Sequence, residues 1–414
     1  MEGAVPRLAD RQTSTHPNLR WAWLVLGAIG VAARLWLWWA SIGSYDVYLW
    51  MRHAQYISTH GLAATYKDYA VFNHPPLMGL YAAQAWRWSS ASVPNFARLI
   101  KLPGLAGEAI SLWALWKFSG PRVFALYACL PAAILVSGFH GNTDSLCAAL
   151  VLVAAIVFDR KRYFTSGLLW SAALNVKLFP LILLPLPLFG THKWRDFWRL
   201  CVGFAVGLVP FIPPVLRAAH AMYHNFLSYS SNFSDWGIPG LVNAAIDVPK
   251  LRPYFLPVER WYSVNGRYLI LATVVALATV PALRKSMNQA TQAALGAALF
   301  LLLASGFGVQ YVEFAAPLLC YADIVAGLCW GWTSGLFIGV VYWMSSTWHP
   351  FQSIFPPRYL GPAPLLGMLA WAALAHFVWV HVRAGLRTQR KHIVCEADIA
   401  ARPKVLKHGH LVDE

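Results

Sequence analysis

The chain has 414 residues, of which 58% are hydrophobic and 12% charged, against roughly a quarter charged in soluble domains. A water-soluble fold cannot hide that much apolar surface. The net charge of +16 does not mark a nucleic-acid binder, because the basic residues punctuate apolar segments and gather on no polar domain. Cys129, Cys147, Cys201, Cys320, Cys329 and Cys395 lie almost all inside apolar segments without CxxC spacing, which argues against a disulfide framework or a zinc site.

In chain order, residues 1–20 read as a polar N-terminal segment, followed by a first span, Trp21–Ala40, that lacks a cleavage site and is expected to stay as an anchor. Further candidate spans are Pro75–Trp88, Leu102–Phe118, Val123–Phe139, Leu146–Phe158, Leu200–Leu216, Tyr268–Leu283, Ala290–Phe307, Phe314–Trp330, Gly335–Ser346 and Pro364–Val382. Several fall short of the roughly 20 residues a straight crossing needs. The expected fold is therefore an all-α multispanning membrane bundle over residues 21–382, with some half-helices. Residues 383–414 read as a basic tail.

Basic clusters at Arg7, Arg11 and Arg20, at Arg160, Lys161 and Arg162, at Lys193, Arg195 and Arg199, at Arg284 and Lys285, and at Arg383, Arg387, Arg390 and Lys391 mark one face. The positive-inside rule makes that face cytoplasmic, with both termini on it. Three longer polar segments, Ser41–His74, Arg217–Arg267 and Thr347–Gly361, then fall outside. Phe164–Phe189 is flanked by basic clusters yet holds only enough residues for two half-helices. The predicted turn is at Asn175-Val176-Lys177, with the lysine in a cavity where irregular backbone is tolerated. Pro131 is expected to break a span, which would put Gly141-Asn142-Thr143-Asp144 outside.

Directly after the first span comes Ser44-Tyr45-Asp46. Val47, Trp50, Ala54 and Ile57 then repeat at helical spacing with Arg52, His53 and Gln55 between them, the pattern of an amphipathic helix in the interface plane. It would hold Asp46 where lipid meets water. The loop runs on past Tyr66, Asp68 and Tyr69, with Asp68 read as loop surface, and re-enters the membrane at His74-Pro75-Pro76-Leu77. Asp144 reads equally as a helix cap or a site residue, and Lys177 as a snorkelling side chain or a ligand.

These features resemble the GT-C glycosyltransferases, multispanning enzymes that take sugar from a polyprenyl phosphate. The nearest likeness is to the dolichyl-phosphate-glucose-dependent glucosyltransferases, with a weaker one to GT-C mannosyltransferases. Tyr45-Asp46, Arg52-His53 and Pro75-Pro76-Leu77 look like their first loop. His140-Gly141-Asn142-Thr143-Asp144-Ser145-Leu146 is similar to their polar motif before a span, and Leu174-Asn175-Val176-Lys177 to their intramembrane lysine segment. Gln310-Tyr311 with Pro317 is similar to a late motif.

The resemblance implies a hexosyltransferase using a polyprenyl-phosphate sugar and a lipid-linked, glycan or protein acceptor, with Asp46 as general base of an inverting displacement. Tyr45, Arg52, His53, His74, Asn142, Asp144, Lys177, Gln310, Tyr311, His349 and Arg358 are the candidate substrate-binding residues, with Arg267 a further cation for phosphate. Many GT-C members carry a second acid beside the first. Here Val47 and Tyr48 follow Asp46, which weakens the case for a divalent metal without removing it, and no other cofactor is expected. The setting favoured is a bacterial inner membrane, with the ER membrane as the alternative. A transporter or lipid flippase is the competing reading, because broken helices and an intramembrane lysine also suit a transport site.

Overall fold

The structure, a computed structural model, describes residues 17–227, 236–345 and 363–401, and among these it is helical without strands. The first helix, α1 (Pro17–Ala40), ends beside the polar segment that holds α2 (Tyr45–His60) and α3 (Leu62–Asp68). Then follow α4 (Pro76–Trp88) and α5 (Val93–Ser119). The next stretch is broken: α6 (Pro121–Ala128), α7 (Pro131–Ile134) and a π-helical turn Leu135–His140. After it α8 (Asp144–Asp159) runs back towards the other end of the bundle.

A hairpin of short helices comes next, α9 (Tyr163–Val176) rising and α10 (Phe179–Leu183) with α11 (Pro185–Gly190) returning. The chain continues through α12 (Trp194–Gly207), α13 (Ile212–Leu227), α14 (Gly237–Ile246), α15 (Arg252–Thr279) and α16 (Pro281–Ser286). A second hairpin pairs α17 (Gln289–Leu303) with the 3-10 turn Val309–Phe314 and α18 (Ala316–Ala322). Two long helices close the fold, α19 (Ile324–Ser345) and α20 (Ala363–Ala401).

Among the described residues three helices are long and apolar enough to cross a membrane unbroken: Leu19–Ala40, Ile324–Ser345 and Ala363–Arg387. Two bent pairs raise this to five, Pro121–Ala128 with Pro131–His140 at 61° and Trp194–Gly207 with Val209–Phe226 at 41°. That is fewer than the row of spans read from hydropathy, for physical reasons. The long α5 and α15 carry charges, Arg98, Lys101, Glu108 and Lys117 on one and Arg252, Glu259, Arg260 and Arg267 on the other. Expected span Pro75–Trp88 is a short helix packed on α2, and the chain turns back at Ser90 and Ala91, both with positive φ.

Expected spans Phe314–Trp330 and Gly335–Ser346 are re-divided as well. Asp323 accepts from the backbone of Val325 and Ala326, which starts α19 there and runs it through both. Over its described residues the polar segment Arg217–Arg267 forms helices of its own, the end of α13, α14 and the first half of α15, the last two joined by turns at residues 247–251.

The break at Pro131 and the hairpin turn at Lys177 are present as the sequence predicts. Pro180, Pro185 and Pro187 interrupt the returning limb, since proline lacks the donor a helix interior needs. Lys177 itself is extended at φ −154°, ψ 154°.

Charged side chains inside the bundle meet polar partners. Arg34 Nε on α1 donates to Glu108 Oε2 on α5 at 3.1 Å, both side chains being 2% exposed, and its other nitrogens reach backbone carbonyls of Gly30, Ala128 and Tyr127. Tyr127 Oη lies 3.0 Å from Glu108 Oε1 and 2.8 Å from Glu313 Oε1. The Tyr127 hydroxyl thus lies between the two carboxylates. This network ties α1, α5 and α6 to the tip of the second hairpin. Lys101 Nζ donates to Ser41 O at 2.7 Å and places a cation at the C-terminus of α1, where the helix dipole favours one.

Replacing Arg34 by Met, or Glu108 by Leu, is expected to destabilise the fold by about 3–5 kcal/mol, and the double replacement by less than either. Unfolding of the detergent-solubilised protein measures the three differences.

Candidate active site

Asp46 sits in the first turn of α2, where Ser44 caps the helix and its Oγ accepts from Asp46 N at 3.2 Å. A carboxylate is favoured at that end of a helix dipole. Ser44 also clips the turn to the π-helical segment, since its N and Oγ donate to His140 O at 3.1 and 2.6 Å. Two glycines make the approach possible. Gly43 and Gly141 have φ of +109° and +87°, and a Cβ on Gly141 would strike Val47. π-Helical turns recur at functional sites, and here the turn presents His140 to the carboxylate.

Three side chains meet the same oxygen of Asp46. Asn142 Nδ2 donates to Oδ2 at 2.7 Å, His140 Nε2 lies 3.1 Å from it, and Gln310 Nε2 lies at 3.5 Å. Oδ1 has no hydrogen-bond partner among the described residues, and the side chain remains 24% exposed. The carboxylate is thus anchored on one side and open on the other.

Burial alone would raise the pKa of Asp46. The neighbouring His140, Lys177 and Asn142 outweigh it and bring the group down to about 2. It is ionised at neutral pH.

Beside it, Lys177 Nζ donates to both oxygens of Asp144 at 2.6 and 2.7 Å; Asp144 is fully buried and Lys177 14% exposed. Asp144 is the first residue of α8, while Thr143 takes the cap position. Its side chain serves the lysine and caps no helix. The ammonium also stands over Tyr311 at 5.3 Å and Phe314 at 5.7 Å. Phe179 stacks on Phe314 at 4.2 Å with the rings 2° apart. The two hairpin tips therefore pack face to face, and each delivers a side chain to the Asp46 cluster.

The remaining sequence candidates divide. His53 and His74 lie under α2 in an aromatic cluster with Trp50, Tyr69 and Phe72, His74 being 4.0 Å from Trp50. His53 belongs to the buried stripe of α2, though the sequence pattern put it on the polar side. Burial, helped by Arg52, lowers His53 to about 4, and burial, Lys177 and His53 lower His74 to about 3. Tyr45 and Arg52 are on α2 but are not among the side chains that meet Asp46, and Arg52 is exposed. Arg267 is on α15, 5.3 Å from the Tyr268 ring. Asp68 accepts from Tyr56 at the surface. His349 and Arg358 lie outside the described residues.

Two residues at the cluster were not singled out from sequence. His140 stood in view, heading the motif that supplies Asn142 and Asp144. Tyr342, whose Oη is 2.8 Å from His140 Nδ1, sits in the apolar run of α19 and gives no sequence signal. Among the described residues no three His, Cys, Asp or Glu side chains gather into a group able to hold a metal ion. An apolar cavity lined by Gly167, Trp170, Leu184, Leu188, Leu200, Cys201 and Phe204 lies farther down α9, apart from these polar groups.

The sequence profile of glycosyltransferase family 87 matches residues 76–306, more than half of the chain. The chain belongs to glycosyltransferase family 87. That family is of the GT-C type, so the protein is a membrane glycosyltransferase, and the transporter reading loses its ground. The matched stretch contains His140, Asn142, Asp144 and Lys177, while Asp46 precedes it and Gln310 follows it. No curated protein matches the sequence at a significant level.

Two outcomes follow from this packing. Gly141→Ala combines backbone strain of about 1–3 kcal/mol with the Val47 contact, so transfer activity is expected to fall; adding Val47→Ala should recover the steric part alone. Because His53 is held neutral, the unfolded chain binds a proton there below about pH 6.5 that the folded loop refuses. Stability should therefore fall as the pH drops from about 6.5 towards 4, by about 1.4 kcal/mol per pH unit from this group. His53→Gln should flatten that slope in unfolding measured against pH.

Proposed function

We propose that this glycosyltransferase moves a hexose, glucose or mannose, from a polyprenyl-phosphate sugar to a lipid-linked, glycan or protein acceptor by an inverting single displacement, with Asp46 as general base. The observation that carries the reading is the one-sided carboxylate: Oδ2 held by three side chains, Oδ1 open. An acceptor hydroxyl bound at Oδ1 is oriented before it attacks. Its oxygen forms the bond to the anomeric carbon, the bond from that carbon to the phosphate oxygen breaks, and the hydroxyl proton passes to Oδ1. A single carboxylate supplies base catalysis without the covalent intermediate of a retaining route.

A carboxylate near 2 is a weak base towards a resting alcohol. The proton consequently moves late, when the attacking oxygen has given its electrons to carbon and become acidic. Departing phosphate gains a negative charge, and Lys177 is the cation beside the site that meets it. Asp144 keeps that cation in place before the donor arrives.

The basic clusters at Arg160, Lys161 and Arg162, at Lys193, and at Arg284 and Lys285 sit at the far end of the bundle, where Asp159 receives the α17 backbone and Arg284 reaches Phe189 O. By the positive-inside rule that end is cytoplasmic. The Asp46 end then faces the periplasm of a bacterial inner membrane, or the lumen if the membrane is that of the ER.

Asp46→Asn is expected to lower transfer by about 10²–10⁴-fold in the purified enzyme supplied with polyprenyl-phosphate glucose or mannose and lipid-linked acceptors. Lys177→Met should cost about 10²–10³-fold. NMR of the product should show the inverted anomer. Wild-type transfer by Asp46→Asn, or a retained anomer, would end the proposal.

A further inference from the structure

We propose that His140 is the positioning residue for the carboxylate of Asp46, held in register by Tyr342, and that it leaves Oδ1 as the one oxygen able to take the acceptor proton. The inference rests on Asp46 being the base. An ionised carboxylate only accepts hydrogen bonds, so the His140 nitrogen 3.1 Å from Oδ2 must carry its proton, which fixes Nε2–H. The opposite nitrogen faces Tyr342 Oη at 2.8 Å, and a hydroxyl donates or accepts as the ring requires.

His140 cannot be the base itself. Its side chain is 1% exposed, and both ring nitrogens are engaged. It therefore touches no substrate and acts through Asp46. The backbone carries the same purpose, because the His140 carbonyl receives both polar groups of Ser44, the residue that caps the helix bearing Asp46. Side chain and carbonyl of one residue thus set both the rotation of the carboxylate and the start of its helix.

Oriented partners of this kind are what keep a reacting group within the narrow geometry that catalysis needs. Other groups facing Asp46 are Asn142 from the turn before α8, Lys177 with its partner Asp144, His74 from the segment before α4, and Gln310 from the second hairpin, while Arg52 and His53, farther along its own helix, lie beyond contact. His140 and Lys177 are the cationic or proton-donating members that favour the ionised carboxylate most. Loss of His140 leaves burial less opposed, so the protonation of Asp46 should move upward.

The test compares kcat, KM and the pH profile of kcat/KM for wild type, His140→Ala, His140→Gln, Tyr342→Phe and Asp46→Asn. His140→Ala is expected to lower kcat at least about tenfold with little change in KM, and to bring the acid limb about one to three pH units higher. His140→Gln places an amide donor near the lost Nε2 and should recover much of kcat. Tyr342→Phe should fall between wild type and His140→Ala.

Wild-type kcat and an unmoved acid limb in His140→Ala would overturn the inference. Should that variant fail to fold, Tyr342→Phe decides, and an unchanged rate and limb there would overturn it equally. Asp46→Asn separates the two ideas: activity retained in it removes the base, whereas its loss alongside an inert His140 removes only the positioning role.

Discussion

A charge inside an apolar bundle has to be neutralised by a partner within hydrogen-bonding reach, because desolvation there costs several kcal/mol per ion. Lys177 and Asp144 satisfy that constraint for each other, and the arrangement around them follows from it. Asp144 must open α8 at the end of the bundle where Lys177 arrives. Lys177 must come from a helix that stops, since a continuous α9 would carry the side chain past its partner. The extended backbone at Lys177 and the prolines behind it are the local means of stopping.

The two hairpins answer a second need of the same kind. Polar atoms have to be brought to the site from within the bundle, yet irregular backbone is tolerated only where protein surrounds it. Placing the tips against each other, with Phe179 on Phe314 and Lys177 over Tyr311, buries each turn in the other's side chains. Glu313, one residue before that stack, anchors the second tip through Tyr127 to the Arg34–Glu108 pair. Gln310 consequently reaches Asp46 from a rigid support. The membrane-facing helices α19 and α20 add packing, and α19 adds Tyr342.

Much of this was legible in the sequence because it follows from local chemistry. The apolar stripe of Val47, Trp50, Ala54 and Ile57, the break at Pro131 and the turn at Lys177 each reflect a spacing or a proline that acts on its own neighbourhood. Asp46, Asn142, Asp144 and Lys177 stood out because polar residues beside apolar runs are costly without a purpose. Pairings across the fold were not legible. Nothing local says that Asp144 chelates Lys177 instead of capping its own helix, that His53 turns inward, or that Tyr342 emerges from an apolar helix to meet His140. Helix boundaries were not legible from hydropathy either, since it cannot foresee the turn at Ser90 or the division at Asp323.

The direction of charge movement in the proposed displacement binds these parts together. Asp46 carries a negative charge, Lys177 and Asp144 form an ion pair beside it, and a phosphodiester donor brings a further negative charge. As the sugar moves, Asp46 takes up a proton and loses its charge while the departing phosphate gains one. The total does not change; one unit of negative charge passes from the α2 end of the site to the phosphate. A fixed cation near the phosphate favours that passage only if it is stiffly held, because a mobile ammonium would follow the charge and oppose its departure from Asp46 less selectively. The two-oxygen grip of Asp144 supplies the stiffness, and the anchoring of Oδ2 does the same for the base. Both ends of the proposed charge path are thus fixed by partners already present in the fold, Asp144 for Lys177 and His140 with Asn142 for Asp46.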